Sequence, residues 1–227
     1  RFSQLDQVNE NNAARLRLKW VRQIQTKTAF ETSPLVVDGV MFLTLPENKV
    51  WAVDAQTGLP YWKYDHGLPG QLAVCCGKVN RGLAILGDTL YMGTLDAKLV
   101  ALDSKSGNVR WIQTVADSKK GYSITGAPLI VKDMVITGIA GGEYGIRGFL
   151  DAYDARTGKR LWRRHTIPGP GEPGHDTWEG DSWKIGGSPT WMTGAFDPAL
   201  NLLYWGVGNP GPDWNGEVRK GDNLYSD

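Results

Sequence analysis

The sequence predicts an all-β protein, a partial β-propeller built from four-stranded antiparallel blades. Glycine makes up 29 of the 227 residues and is scattered among short apolar runs, as a chain with many tight turns requires. One pattern, A-x-D-x-x-[TS]-G-x-x-x-W, occurs three times, starting at Ala52, Ala101 and Ala152, which are 49 and 51 residues apart. Units of four strands repeated every ~40–50 residues are typical of propeller blades. A sandwich of several hairpins is the alternative, but it does not repeat a tryptophan-bearing hairpin at a fixed spacing.

Each copy of the pattern predicts a hairpin. In the first copy the Asp54 side chain can accept backbone N–H groups within the turn, Gly58 supplies a positive φ, and the second strand carries Trp62. A second hairpin precedes each copy, so each unit contains four short strands. These preceding hairpins are predicted at Pro34–Val37 with Val40–Leu45, Leu83–Leu86 with Thr89–Gly93, and Pro128–Val131 with Met134–Gly138.

Residues 1–227 are predicted to form a single, incomplete propeller domain of roughly four blades. A fourth unit is expected from Gly187 through Ala199–Gly208, but its tryptophan motif does not follow before Asp227. The chain starts at Arg1 with no initiator Met and no leader, which indicates a mature protein or a piece of one. We therefore expect the chain to be cut within a blade and to leave open sheet edges there.

Charge and hydropathy argue against several classes of partner. The 25 basic and 24 acidic residues give a net charge of +1, which favours neither nucleic acid nor an anionic membrane. No run approaches the ~18 apolar residues of a membrane span. The histidines His66, His165 and His175 show no metal-ligand spacing and are expected at the surface. The Pro- and Gly-rich stretch His165–Gly186 is expected to be a long loop that walls a substrate channel.

The only two cysteines, Cys75 and Cys76, are adjacent. Adjacent Cα atoms lie ~3.8 Å apart across a trans peptide, which is below the ~4.4–6.8 Å usual in disulfides. The pair is therefore either two buried thiols or a vicinal disulfide. Because such a bond removes little loop entropy from the unfolded chain, it would indicate a functional site rather than a stabilising link.

Two further segments carry candidate chemistry. Ile139–Gly148 places Glu143 among glycines, and no Lys-Ser/Thr follows, so a phosphate loop is a weak interpretation. Glu143 is then either a solvated turn residue or an oxygen ligand of a hard cation. The other segment pairs Trp191 with Asn209, 18 positions later.

These segments and the tryptophan repeat resemble the quinoprotein alcohol dehydrogenases, large subunits of the methanol and ethanol dehydrogenase type that use pyrroloquinoline quinone (PQQ). The resemblance extends from Ser3 to Tyr225. It implies an eight-bladed propeller in which the repeat is a tryptophan-docking motif. It also implies a disulfide between Cys75 and Cys76 that covers one face of PQQ, with Trp191 stacked on the other face.

The resemblance implies the other site residues as well. Arg81 would contact the cofactor, whose three carboxylates suit a guanidinium. Glu143 and Asn209 would bind the metal, Ca²⁺ or a lanthanide. The remaining cofactor-binding positions are Glu31, Thr125, Ala140, Gly141 and Gly142. Since Ala140 replaces a serine found in some members, only its backbone is expected to serve the cofactor.

The implied activity is oxidation of an alcohol to an aldehyde in the periplasm, with electrons passed to a c-type cytochrome and a homodimer as one assembly. The family's aspartate base is expected beyond Asp227, so we expect the chain alone to be inactive. Two alternatives stay open: a quinoprotein dehydrogenase for sugars or polyols, and a non-enzymatic propeller scaffold for outer-membrane assembly. The scaffold predicts neither paired cysteines nor Gly-Gly-Glu nor the Trp/Asn pair.

Overall fold

The computed structural model describes residues 5–227, so Ser3, where the family resemblance begins, lies outside the described residues. Three four-stranded antiparallel sheets follow one another, each with its strands in chain order. We call them blades 1, 2 and 3. A two-stranded sheet follows as the beginning of a fourth unit. The prediction of an all-β, partial propeller is confirmed.

The strands have the following bounds. Blade 1 contains β1 (Leu35–Val37), β2 (Val40–Leu45), β3 (Lys49–Asp54) and β4 (Pro60–Asp65); blade 2 contains β5 (Ala84–Leu86), β6 (Thr89–Gly93), β7 (Lys98–Asp103) and β8 (Val109–Thr114). Blade 3 contains β9 (Leu129–Val131), β10 (Met134–Gly138), β11 (Phe149–Asp154) and β12 (Arg160–His165), and the last sheet pairs β13 (Ala195–Asp197) with β14 (Leu202–Tyr204). Short 3₁₀ turns lie at Ala13–Arg15, Ser118–Lys120, Gly142–Tyr144, His175–Thr177, Ser182–Lys184 and Gly216–Val218.

The hydrophobic core lies between neighbouring blades. Strand β6 of blade 2 is buried along its whole length. On one side of blade 2, Leu90 and Val100 pack in a cluster with Phe42 of blade 1. On the other side, Leu99 belongs to a cluster with Phe149 of blade 3. Each blade therefore depends on its neighbours to bury its apolar surface.

The tryptophans of the repeat link one blade to the next. Trp62 of blade 1 lies over Gly107 of blade 2, where an added Cβ would come within 2.6 Å of the indole ring. Its Nε1 donates to the Ser104 carbonyl oxygen at 3.0 Å. Trp111 of blade 2 lies over Gly158 of blade 3 in the same way. Glycine is thus required at this motif position for two reasons: the indole leaves no room for a Cβ, and Gly107 has a φ of +73°.

The motif aspartates close their turns as predicted from the sequence. In blade 2, Asp103 Oδ1 accepts hydrogen bonds from the backbone N–H groups of Lys105 (3.0 Å) and Ser106 (2.8 Å). Arg110 Nη2 binds the second oxygen of this carboxylate at 2.7 Å. These bonds hold the pKa of Asp103 well below its usual value, the Arg110 contact being the main cause.

Trp20 makes the same contact as the repeat tryptophans although no copy of the motif precedes it. Its ring lies against Gly58 of blade 1, within 2.7 Å of an added Cβ, and its Nε1 donates to the Ala55 carbonyl oxygen at 3.1 Å. At the other end of the series, Trp162 of blade 3 is 36% exposed.

The prediction that the histidines lie at the surface is wrong for His66. Its side chain is 4% exposed, and Nε2 lies 3.0 Å from Asp96 Oδ1 in the turn between β6 and β7. Nδ1 lies 3.2 Å from the Tyr64 hydroxyl. His66 thus links the end of blade 1 to blade 2. His165 and His175 are partly buried.

In the stretch His165–Gly186, His165 ends β12 and the rest is irregular apart from two short 3₁₀ turns. Arg147 anchors it: Nε donates to the Ile167 carbonyl oxygen at 3.0 Å, and the guanidinium lies 4.7 Å from the Trp183 ring centroid. Burial lowers the pKa of Arg147. Trp178 is buried and donates to the Leu224 carbonyl oxygen. Within residues 5–227 no helix is long and apolar enough to cross a membrane.

Candidate cofactor and metal site

A cavity of about 220 Å³ lies among the connections between the strands of successive units. Nine of the eleven predicted site residues line it, and Glu31 and Gly142 do not. The lining residues are Cys75, Cys76, Val79, Arg81, Ser123, Thr125, Ala140, Gly141, Glu143, Pro189, Trp191 and Asn209. Larger grooves exist, such as one of about 470 Å³ between the outer edges of blades 1 and 2, but they gather none of the predicted residues.

Three lining residues were not found from the sequence: Val79, Ser123 and Pro189. Each lies within four residues of a predicted one, so proximity along the chain was the available signal. The loop His165–Gly186 contributes none of the lining residues. The expectation that this loop walls a channel therefore does not hold for this cavity.

Cys75 and Cys76 form a disulfide, so of the two alternatives left by the sequence the structure contains the vicinal bond. The pair lies on the connection from β4 to β5. Cys76 has a φ of +65° and Gly77 a φ of +95°, so the chain turns sharply at the bond. Both sulfur-bearing residues line the cavity.

Arg81 is held through its backbone and its side chain. The Ser33 N–H donates to the Arg81 carbonyl oxygen at 3.1 Å, and the Arg81 N–H donates to the Thr125 carbonyl oxygen at 3.0 Å. Its Nη2 lies 2.8 Å from Glu31 Oε2, and its Cζ lies 4.8 Å from the Trp191 ring centroid. Glu31 therefore contacts Arg81 rather than the cavity.

The side chain of Asn80 holds the same segment by two hydrogen bonds. Its buried side chain donates from Nδ2 to the Gly93 carbonyl oxygen at 2.8 Å and accepts at Oδ1 from the Gly82 N–H at 3.1 Å. These bonds tie the chain on both sides of Arg81 to β6 of blade 2. The backbone of Arg81 is thus fixed by buried contacts, whereas its guanidinium is partly solvated and is held by Glu31 and Trp191.

Trp191 presents its indole from a fixed backbone and is 38% exposed. The preceding residue, Thr190, donates from its N–H to the Ile139 carbonyl oxygen at 2.8 Å and from Oγ1 to the Phe149 carbonyl oxygen at 2.6 Å. A Cβ at Gly126 would overlap the Trp191 carbonyl oxygen. Close backbone approach, rather than contacts of the ring, fixes this tryptophan.

The Ala140 backbone pairs with Ser123, so its carbonyl oxygen keeps one lone pair for a cofactor while its N–H is engaged. Its N–H donates to the Ser123 carbonyl oxygen at 2.7 Å, and its own carbonyl oxygen accepts from the Ser123 N–H at 3.2 Å. Gly142 does not line the cavity; an added Cβ there would lie 2.9 Å from Pro189 Cδ. Gly142 is thus a packing position, whereas Gly141 lines the cavity.

Glu143 and Asn209 each offer an oxygen to the cavity. Glu143 is exposed on the turn Gly142–Tyr144, and its carboxylate makes no hydrogen bond or ion pair with any residue between 5 and 227. Asn209 Nδ2 donates to Asp213 Oδ1 at 2.8 Å and to the Pro210 carbonyl oxygen at 3.2 Å. Because both of these groups are acceptors, the amide nitrogen must face them, which leaves Oδ1 as the free end.

The chemistry of this donor set suits a hard cation. Ca²⁺ takes about 6–8 oxygen ligands, and a carboxylate with a side-chain amide oxygen supplies the right kind of atom. No cluster of three or more His, Cys, Asp or Glu side chains able to hold a metal occurs in the described part of the chain. Glu143 and Asn209 would therefore be two ligands of a set that needs others.

Comparison with known proteins supports the same conclusion. A family profile described as PQQ, glucose/ethanol/alcohol dehydrogenase, β-propeller domain, matches residues 1–227. The chain is 45% identical over its whole length to the quinoprotein alcohol dehydrogenase PedH of Pseudomonas putida. It is 41% identical, again over its whole length, to the lanthanide-dependent methanol dehydrogenase of Methylacidiphilum fumariolicum.

Solved structures agree with these matches. A quinohemoprotein alcohol dehydrogenase from Comamonas testosteroni superimposes with a TM-score of 0.90 at 39% identity, covering 99% of this chain and 36% of that one. A europium-containing methanol dehydrogenase gives a TM-score of 0.88 at 40% identity, covering 96% of this chain and 42% of that one.

Fold and matches together define a quinoprotein β-propeller. The chain belongs to the family of PQQ-dependent alcohol dehydrogenases. It spans 41% of the length of PedH and 41% of the length of the lanthanide-dependent methanol dehydrogenase, less than half of each.

Proposed function

We propose that the protein containing this chain oxidises alcohols to aldehydes with PQQ held in the described cavity. The observation that carries the proposal is that a disulfide, an arginine, a tryptophan and two unpaired oxygen donors line one cavity. They reach it from separate segments of the chain between positions 75 and 209.

The flat faces of the cofactor are assigned to Trp191 and the disulfide. An indole stacks favourably on another planar ring system. The Cys75–Cys76 ring is compact, and its two sulfur atoms carry no hydrogen to compete for the quinone oxygens. What supports this assignment is that both groups line the same cavity from different chain segments.

Arg81 is assigned to the cofactor's carboxylates. A guanidinium can donate two parallel hydrogen bonds to a carboxylate, and such charge-assisted bonds are roughly twice as strong as neutral ones. The Glu31 ion pair occupies one nitrogen of the fork, Nη2, and orients the rest. Glu31 is therefore a positioning residue for Arg81 in this proposal.

Glu143 and Asn209 are assigned to a cation that is Ca²⁺ or a lanthanide. Bound PQQ would supply the acceptor for a hydride and a bound cation the Lewis acid that polarises it. Names among the matches support a lanthanide, since one relative is called lanthanide-dependent and one structure europium-containing. Glu143 and Asn209 would fix the cation and take no part in proton transfer.

A c-type cytochrome as electron acceptor and a periplasmic location complete the proposal. Several relatives are named quinohemoprotein alcohol dehydrogenases, which supports a haem partner. The disulfide supports an oxidising compartment, because disulfides persist in the periplasm and are rare in the cytosol.

Sugars are the second candidate substrate class, favoured by the word glucose in the family description. A substrate panel decides between the two. The full-length protein, stripped of cofactor and metal, should regain dye-linked oxidation of primary alcohols when PQQ and Ca²⁺ or La³⁺ are restored together. Faster turnover of glucose than of any alcohol would reverse the substrate assignment. No turnover of either class would contradict the proposed function.

A further inference from the structure

The two loops that carry Glu143 and Asn209 are joined through a third segment. Residues 186–188 lie between residues 146–148 and residues 209–211, pairing with one in parallel and with the other in antiparallel orientation. Four backbone hydrogen bonds hold the three segments: Gly187 N–H to Ile146 O (2.9 Å), Gly148 N–H to Gly187 O (2.8 Å), Ser188 N–H to Asn209 O (3.0 Å) and Gly211 N–H to Gly186 O (2.7 Å).

Gly187, at the centre of this arrangement, has no room for a side chain. An added Cβ would lie 2.7 Å from the Gly211 nitrogen and 3.3 Å from the Gly142 carbonyl oxygen. Its φ of +72° is also one that other residues rarely adopt. The atoms in the way are backbone atoms, which cannot rotate aside. They belong to the two loops that carry Glu143 and Asn209.

We propose that Gly187 is a positioning residue that sets the separation of Glu143 and Asn209, and thereby the size of the cation that the site accepts. The inference rests on the proposed function, because it assumes that these two side chains bind one cation. Gly187 touches neither side chain. It acts through the backbone of both loops, one of which it joins directly and the other through its neighbours.

The physical reason is steric. A Cβ at position 187 must push residues 209–211 away from the Gly142–Tyr144 turn, because backbone atoms meet it on both sides. The two oxygen donors then lie farther apart. Trivalent lanthanides share one charge and one preference for oxygen, but La³⁺ is larger than Yb³⁺. A wider site should therefore lose Yb³⁺ more than La³⁺.

The experiment uses the full-length protein freed of metal, with PQQ kept in excess in the buffer. Tb³⁺ binding is followed by tryptophan-sensitised luminescence, and La³⁺ and Yb³⁺ are measured by competition. Replacing residues that orient metal ligands typically weakens binding ~10–100-fold. For Gly187→Ala we expect the affinity for Yb³⁺ to fall by a factor in this range and the affinity for La³⁺ to fall several-fold less.

Two further variants keep the test interpretable. Gly39→Ala, in the β1–β2 turn, has a φ of +77° and nothing within 4 Å of an added Cβ, so it matches the backbone cost without the contact. It should leave both affinities unchanged. Gly211→Ala is the milder form, with contacts of 3.0 Å to the Gly142 carbonyl oxygen and 3.4 Å to the Gly187 nitrogen. It should change the Yb³⁺/La³⁺ ratio in the same direction even if Gly187→Ala does not fold.

Each result decides the matter. A changed ratio in Gly211→Ala or Gly187→Ala, with Gly39→Ala as wild type, supports the inference. Equal losses of affinity for Yb³⁺ and La³⁺, or no loss of either, overturn the inference. In that case, Tb³⁺ binding that is abolished by Glu143→Ala would leave the proposed function intact. If the wild-type protein does not bind Tb³⁺ at all, both the inference and the proposed metal site fail.

Discussion

The guanidinium of Arg81 lies over the indole of Trp191, with Cζ 4.8 Å from the ring centroid. The two residues are more than a hundred positions apart and belong to different units of the propeller. Their contact is a cation–π interaction, worth ~0.5–1 kcal/mol where partly solvated. It brings the proposed carboxylate-binding group and the proposed stacking surface to one side of the cavity.

The first prediction concerns the vicinal disulfide. Thiol titration of exported protein under denaturing, non-reducing conditions should detect no free thiol, because Cys75 and Cys76 are bonded to each other. The same sample should give two thiols per chain after reduction, which serves as the control. Two thiols before reduction would show that the bond does not form in the native protein.

The second prediction concerns the metal. In the full-length protein, Glu143→Ala should weaken cation-dependent retention of PQQ by at least the ~10–100-fold found for residues that support metal ligands. Glu179→Ala is the matched control, since Glu179 is also exposed but does not line the cavity. Retention and metal content are measured after gel filtration. If Glu143→Ala still held one metal ion per chain, the assignment of Glu143 as a metal ligand would be wrong.

The third prediction concerns the contact between Trp62 and Gly107. Gly107→Ala should destabilise the full-length protein by ~2–6 kcal/mol, because the strain of a positive φ costs ~1–3 kcal/mol and overpacking against the ring a further ~1–3 kcal/mol. Gly39→Ala has a similar φ without the steric contact and should cost only the backbone part. Urea unfolding measures both variants. If Gly107→Ala and Gly39→Ala lowered the free energy of unfolding equally, the tryptophan contact would contribute nothing to the cost.

The fourth prediction concerns acid stability and Asp96. Burial alone would raise the pKa of this carboxyl, but hydrogen bonds from His66, Lys98 and Thr94 outweigh burial and hold the pKa well below its usual value. The stabilisation from Asp96 is therefore complete above the unfolded pKa of ~3.9 and is lost as the pH falls below it.

Asp96→Asn should remove that part of the pH dependence and, at pH 7, cost about 1.5–3 kcal/mol, as expected for hydrogen bonds to a charged group. The exposed Asp176, which makes no hydrogen bond or ion pair between residues 5 and 227, provides the control Asp176→Asn. Unfolding in urea at several pH values between about 2.5 and 7 covers the unfolded pKa range. If the free energy of unfolding of Asp96→Asn fell with pH as steeply as that of the wild type, the role given to this carboxylate would be refuted.

The fifth prediction is that the 227-residue chain alone does not oxidise alcohols, even with PQQ and Ca²⁺ added. Within residues 5–227, Glu143 and Asn209 supply only two of the ~6–8 oxygens that Ca²⁺ takes. Both side chains and Trp191 are also exposed, so water competes for every polar contact. Dye-linked turnover is compared with the full-length protein. A rate within tenfold of that protein would contradict the prediction.

The blades could be predicted from the sequence because their signal is local and repeated. Asp103 and Gly107 act within one turn, and each residue type has a physical reason to occur there. The role of Trp20 could not be predicted from the repeat, because Trp20 contacts Gly58 without the preceding Asp and Gly that mark the other copies.

The site could be predicted in composition but not in arrangement. The family resemblance identified nine residues that line the cavity. The engagement of Ala140 with Ser123, and the pairing of Glu31 with Arg81, depend on contacts between distant segments that no local pattern encodes. His66 was misjudged for the same reason, since its partner Asp96 lies 30 positions away in another blade.

The tryptophan–glycine contacts have a thermodynamic consequence. Each of these contacts joins one blade only to the next, so the tryptophan–glycine contacts by themselves couple nearest neighbours only, as in a linear array. The cavity instead collects residues from four successive units, from Cys75 to Asn209. A ligand there touches all of them at once, and at a hundred times its Kd it would add about 2.7 kcal/mol to their joint stability. Occupancy would then convert stepwise loss of single blades into one cooperative transition.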